Sequence, residues 1–348
     1  MMGAAVYPPK VSLDIKDSYE YKHKNKRLFG KGEFVLGKHP AGEFSYVNLD
    51  EAYAENMTRG GFSLLDQYIK NTYFCPAMCN LVDDVEKTTR SFSDFSEATM
   101  QTGASIAPIL ACDWEKQGGR SAYIHIAKGG VSIRHYFTDE MVKEYERRMT
   151  EYNEKNGTEF DTSLAGKGRQ TGAAEYFAEK VTDFFTEAEE RFAGEDLSCR
   201  GFYWIQGESD AGMATVEYLT MLEVLWDRLK SLGVTHFFML RIDFFGNERI
   251  KNTMAAQELL CKRNENCFMM SRALSFIPYT KTPMNPYIKE PDAIYHTGRD
   301  DAYGFGNPHI NEEGFAIASK RAAENMKRIL VDGAEPVLEE EIVRDINY

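Results

Sequence analysis

The sequence predicts an α/β protein, a three-layer α/β/α sandwich built round a mostly parallel sheet, and three observations predict it. First, from residue 201 onward short apolar runs alternate with amphipathic stretches of about 12 to 20 residues, the pattern of strands joined by crossover helices. Second, the run Phe202-Tyr203-Trp204-Ile205 passes directly into the small and polar cluster Gln206-Gly207-Glu208-Ser209-Asp210. Such a junction is how a parallel sheet presents chemistry at the carboxyl ends of its strands. Third, 348 residues at 43% hydrophobic content are ample for a packed core. Right-handed crossovers then favour a doubly wound, flavodoxin-like arrangement.

Taken in order, residues 1–60 are rich in Tyr, Lys, Gly and Pro and include Gly32-Glu33-Phe34-Val35-Leu36-Gly37; they read as loops and short strands over one edge of the domain. A short helix is expected over Leu64 to Ile69. Between Ser105 and Trp114 the apolar residues Ile106, Ile109, Leu110 and Trp114 recur at helical spacing. A strand follows at Ala122 to Ala127 and ends in Lys128-Gly129-Gly130-Val131-Ser132-Ile133, where the paired glycines permit a tight turn or a close backbone approach. Residues 138–170 are strongly polar and read as an insertion. Thr171 to Phe192 forms an amphipathic helix with Phe177, Val181, Phe184, Phe185 and Ala188 inward. Strands at 201–206, 236–243 and 267–274 then alternate with helices at 214–231, 251–265 and 312–330. One domain over residues 1–331 results, followed by an acidic tail, 332–348, that is a surface strap or a frayed end.

The net charge of −13 argues against nucleic acid as a partner and suits an uncharged substrate. Six cysteines, Cys75, Cys79, Cys112, Cys199, Cys261 and Cys267, lack both a disulfide-framework density and histidines at zinc spacing, so mostly buried thiols are expected and no metal. His125 and His236 sit in apolar strand patterns as structural histidines. Trp204 and its aromatic neighbours read as core, and the acidic runs Glu187 to Glu190 and Glu339 to Glu341 as solvated faces. No run of about 18 apolar residues occurs, so no membrane-spanning helix is expected.

Three strand-to-loop junctions carry chemistry: Gly129-Gly130, Gln206-Gly207-Glu208, and His309 ahead of the last helix. A doubly wound sheet brings such loops to one edge. The ordered trio Lys128-Gly129-Gly130-Val131-Ser132-Ile133, Trp204-Ile205-Gln206-Gly207-Glu208-Ser209-Asp210 and His309-Ile310-Asn311-Glu312-Glu313-Gly314 resembles the SGNH hydrolases. Within them it is similar to the sialate O-acetylesterases and related carbohydrate acetylesterases, including acetylxylan esterases, over roughly residues 90–330. That resemblance implies a cofactor-free deacetylation of carbohydrate by a serine–histidine acyl-enzyme route.

Carried over residue by residue, His309 is the expected general base, and Gly130, through its backbone N–H, and Gln206, through its side-chain amide, the expected oxyanion donors. Glu208 and Gly129 are supporting residues that shape the loop or meet substrate. The family places Asp three residues before the histidine, where this chain has Gly306; Asn307, Asp301 or a backbone carbonyl would orient the imidazole instead. The family's serine lies in a Gly-Gln-Ser-Asn-Met-x-Gly turn after the first strand. Met1-Met2-Gly3 matches only its end, so the nucleophile and the first strand are expected just before Met1. The compartment follows from that start: cytoplasmic for a chain beginning at Met1, secreted or periplasmic for a longer one. Ser209 is no substitute, because Ala211 stands where a nucleophile elbow needs its second glycine. Two rival readings are a carbohydrate-binding protein without catalysis, and a nucleotide binder using the loop from Gly166 to Gly172 at a helix N-terminus. The second lacks a preceding strand.

Overall fold

Among the described residues every strand pairing is parallel. The computed structural model describes residues 72–74, 110, 113–114, 116–123, 131–164, 173–242, 248–276, 312–341 and 346. Among these, β1 (Thr72–Phe74) pairs with β2 (Ser121–Tyr123), while β3 (Gly201–Trp204), β4 (His236–Leu240) and β5 (Cys267–Ser271) form a second sheet in that order. Parallel neighbours need a crossover, and α3 (Thr215–Ser231) and α4 (Lys251–Arg263) supply those of the second sheet. The chain is therefore α/β.

Side-chain alternation assigns the two faces of this sheet. Phe202 meets Phe237 with ring centroids 5.4 Å apart, and Trp226 of α3 stands edge-on to Phe237 at 5.8 Å. The intervening residues look the other way, where Tyr203 packs on Phe238 and its hydroxyl meets the Met326 sulfur. Met326 belongs to α5 (Glu312–Leu330), whose Ala318, Ala322 and Ala323 are buried and let the helix sit close to β5. Helices thus cover both faces. In α3, Tyr218, Leu222, Leu225 and Leu229 are fully buried, and each such aliphatic side chain contributes about 1.5–3 kcal/mol.

Within the polar stretch 138–170, expected as an insertion, α1 (Asp139–Asn156) packs into the main core. Its Met141, Val142, Tyr145 and Met149 form one helical stripe packed on α3. The helix begins at Thr138, whose hydroxyl accepts the Met141 N–H, and ends at Gly157 in the left-handed conformation. Its outer face holds the charge, as in the Arg148–Asp227 pair at 2.6 Å, which ties α1 to α3 at the surface for little net energy. Helix α2 (Ala173–Arg191) follows the expected pattern, with Phe177 and Val181 buried and Phe184 and Phe185 half-buried. Leu110 and Trp114, expected on a helix facing the sheet, are helical and buried.

One expectation is corrected. The run Glu339 to Glu341 is not a solvated face: Glu339 is 3% exposed and held by the Ser271 hydroxyl and the Arg272 backbone N–H, Glu341 is drawn in by the buried Arg241, and Glu340 alone of the three is exposed. Of the described thiols Cys267 is buried and Cys261 half-buried, but Cys199 is exposed in the segment leading into β3. The expected helix at 64–69, His125, and the loops from Gly32 to Gly37 and Gly166 to Gly172 lie outside the described residues. Among the described residues no helix is long and apolar enough to cross a membrane.

Candidate functional site

The clearest polar cluster lies where the chain leaves β3. Beyond Trp204 the backbone stays buried through Gln206, turns at Gly207 and closes a 3₁₀ turn over Glu208–Asp210. Gly207 is required by its conformation: its φ is 151°, and a Cβ there would lie 2.6 Å from the Thr253 methyl and 2.8 Å from Ile242 Cδ1. Opposite sits the segment following β2, where Ser132 caps the 3₁₀ turn Ile133–Tyr136 by accepting the Arg134 N–H.

Gln206, 1% exposed, joins the two loops. Its Nε2 donates to the Val131 carbonyl at 3.0 Å and to Asp210 Oδ2 at 2.6 Å. The Tyr218 hydroxyl lies 2.9 Å from both Gln206 Oε1 and the Gln206 carbonyl, so its single proton is shared between them, while Trp204 Nε1 donates to the hydroxyl at 3.3 Å. Gln257 Nε2 donates to the same carbonyl at 2.8 Å. Asp210 completes the clasp: it accepts from the Ser132 hydroxyl, from the Ile133 N–H at 2.9 Å and from Gln206. Burial nevertheless pushes its carboxyl above the ordinary range, with Ser132, Gln206 and Ile133 pulling it back.

This geometry revises the chemistry expected of Gln206. Both of its side-chain N–H groups are engaged, one to Val131 and one to Asp210, so in this arrangement it holds the loops together and has no N–H left to meet an oxyanion. Glu208, expected as a supporting residue, lies in the turn itself. Its Oε2 accepts the Gly207 N–H at 3.0 Å, and burial raises its carboxyl against that contact and its own backbone N–H. Ser209 is exposed, and Ser132 is committed to Asp210.

Of the residues singled out from sequence, the structure brings Gln206 and Glu208 into one cluster; His309, Gly129, Gly130, Asn307 and Asp301 lie outside the described residues. Three members of the cluster had no role assigned from sequence. Asp210 closes the Trp-x-Gln-Gly-Glu-Ser-Asp run and was legible as part of it. Tyr218 gave no signal beyond its place on an apolar helix face. Gln257, flanked by Met254-Ala255-Ala256 and Leu259-Leu260, carried the one available cue, a lone amide among inward-facing residues. Among the described residues no group of His, Cys, Asp and Glu side chains is arranged to hold a metal.

At the opposite, N-terminal ends of β2 and β3, away from the clasp, runs a cavity of about 540 Å³ with Arg120, Glu189, Asp196 and Arg200 among its otherwise largely apolar lining. It is lined by Ala122 of β2, Tyr203 of β3, Phe238 of β4, Phe177 and Phe185 of α2 and Met326 of α5, and so reaches both helical layers. Among the described residues β3 pairs only with β4 and β2 only with β1. His236 lies at this cavity as a structural ring, stacked on Phe238 and Phe268 with Nδ1 2.8 Å from the Thr235 hydroxyl. No family model matches the chain, and neither a curated protein nor a solved structure shows significant similarity to it.

Proposed function

We propose that this chain is the body of an SGNH-type hydrolase, a three-layer flavodoxin-like sandwich that removes O-acetyl groups from carbohydrate. One observation carries the reading: the segments following β2 and β3 are clasped to each other by Gln206 and Asp210, while a slot open to both helical layers runs between the strands themselves. Among the described residues β3 pairs only with β4, and a further parallel strand in that slot would pair with its other edge and end beside Val131 and Gln206. A serine in the turn after such a strand would then stand at the same edge as the clasped loops, as the resemblance of the trio of motifs to the acetylesterases implies.

In this reading the serine Oγ attacks the acetyl carbonyl and gives its proton to His309, the C–O bond to the sugar breaks, and His309 returns the proton to the departing hydroxyl. Water activated by the same imidazole then cleaves the acetyl-enzyme to acetate. The Gly130 N–H is the oxyanion donor from this part of the chain, and Gln206 is a positioning residue that fixes the segment beginning at Val131.

The test is acetate release from acetylated sugars and p-nitrophenyl acetate by the protein, beside its His309→Ala variant. The reading expects a loss in kcat/KM of at least about a thousandfold in the variant. Equal rates would remove His309 from the reaction. Binding of acetylated sugar without acetate release would favour a carbohydrate-binding protein, and a thermal shift with ATP or NADPH a nucleotide binder.

A further inference from the structure

The C-terminal ends of β4 and β5 each lead directly into an arginine. Arg241, fully buried, donates from Nη1 to Glu258 at 3.0 Å, from Nε to the Ser275 hydroxyl at 2.8 Å, and from both Nη atoms to Glu341, 3.0 Å from Nη2. Arg272 grips the same Glu258 with two bonds of 2.6 and 2.8 Å, while its backbone N–H and the Ser271 hydroxyl donate to Glu339 at 2.7 and 2.8 Å. Two guanidinium groups thus face a single internal carboxylate. Glu339 and Glu341 supply the compensating charge from the extended segment after α5, and Asn325 of α5 fixes that segment by bonding both the N–H and the carbonyl of Val337.

From Arg241 a chain of buried hydrogen bonds leads to the candidate site. Ser275 Oγ, which accepts from Arg241, donates to the Ile242 carbonyl at 2.8 Å; the Ile242 N–H donates to Gln257 Oε1 at 3.2 Å; Gln257 Nε2 donates to the Gln206 carbonyl at 2.8 Å. Gln206 in turn holds Asp210 and the Val131 carbonyl. Each of these side chains is at most 2% exposed, so water cannot stand in for a lost member.

We propose that the C-terminal strap is a latch on the strand-end loop: Glu341 seats Arg241, and Arg241 and Gln257 are positioning residues that hold Gln206 and with it the turn Glu208–Asp210. The functional weight of the latch rests on the reading of that loop as part of an active site; its existence does not, and hydrogen exchange measured by mass spectrometry on the full chain tests it without any activity. In Glu341→Gln, exchange of segments 206–211 and 131–136 should rise by about tenfold or more while α1 stays unchanged, and Glu340→Gln, altering the outward-facing neighbour, should change neither. Gln257→Met should loosen the same two segments and leave 335–341 intact, and the double variant should add nothing to either single one.

Faster exchange confined to the strap in Glu341→Gln, equal effects of Glu340→Gln, or additive effects of the two relay variants would overturn the latch. Should Glu341→Gln loosen α1 as well, Glu341→Asp, which keeps the charge and withdraws it by one methylene, decides: loosening at 206–211 upholds the proposal and its absence overturns it. No acetate release from the unaltered protein, with the expected exchange pattern in the variants, would count against the esterase reading alone.

Discussion

The residue that holds the site together is Asp210, and its environment makes a prediction of definite sign. Its carboxyl accepts three donors, from Ser132, Ile133 and Gln206, in a position 1% exposed. An asparagine has nearly the same shape but replaces one acceptor oxygen with an N–H₂ group, which must face at least one of those donors. Asp210→Asn should therefore lower unfolding free energy by about 1–3 kcal/mol, seen as a lower denaturant midpoint at unchanged slope. No loss would mean that the clasp is solvated and the two loops are independent. The role of Asp210 was only half legible in the sequence. A polar cluster after an aromatic strand marks a strand end, but which member faces inward depends on the turn at Gly207, and the distant partners Ser132 and Gln257 follow from tertiary packing that no local pattern encodes.

At the scale of elements the sequence was most legible where strand and helix periods are clean. The strands β3 to β5, the helices α2 to α4 and α5 all fall within the expected stretches, with strands trimmed at their C-terminal ends where the chain turns into loops. It was least legible at α1, where average polarity hid a narrow stripe: Met141, Val142, Tyr145 and Met149 are four apolar positions in a helix whose remaining residues are largely charged. Composition reports the wide solvated face, whereas periodicity reports the seam. The acidic tail misled for the converse reason, since Glu341, which looks solvent-bound, finds the buried Arg241, separated from it by about a hundred residues of chain. If α1 belongs to the core, truncating its innermost side chain must be felt globally. Met149 is fully buried between α1 and the rest of the main cluster, so Met149→Ala should cost about 2–5 kcal/mol in equilibrium unfolding, whereas the half-exposed Arg148→Ala should cost about 1 kcal/mol or less. A small effect at Met149 would restore 138–170 to the status of a detachable insertion.

For the whole molecule the distribution of carboxyl groups sets how stability depends on pH. Burial holds Asp113, Glu208, Asp210 and Glu223 above the ordinary carboxyl range, despite hydrogen bonds and nearby cations acting the other way. A carboxyl raised in the native state binds its proton more tightly folded than unfolded. Its contribution is therefore most favourable below the unfolded value near pH 4 and is lost as pH rises through the native one. The net charge of −13 works in the same direction, because self-repulsion grows as carboxyls ionise. Among the described residues five groups oppose this. His236, lowered by burial, costs stability as pH falls below about 6.5, while Glu144, drawn down to about 2 by Arg147 and Arg148, and Glu140, Asp196 and Asp227, held below the ordinary range by hydrogen bonds and nearby cations, lose their contributions only as pH falls below about 4. None of these four carboxylates titrates between pH 5.5 and 8, so in that range one half-buried histidine is set against four desolvated carboxyls and the field of the whole chain, and Tm near pH 5.5 should lie above that at pH 8. Salt separates the two favourable causes. Sodium chloride at about 0.5 M screens charges separated by more than a few ångströms but does not reach desolvated groups, so a Tm difference that survives it belongs to the buried carboxyls and should shrink further in Asp210→Asn. A difference abolished by salt would assign the effect to surface repulsion, and a Tm that rises from pH 5.5 to 8 would show that these carboxyls are not desolvated in the folded chain.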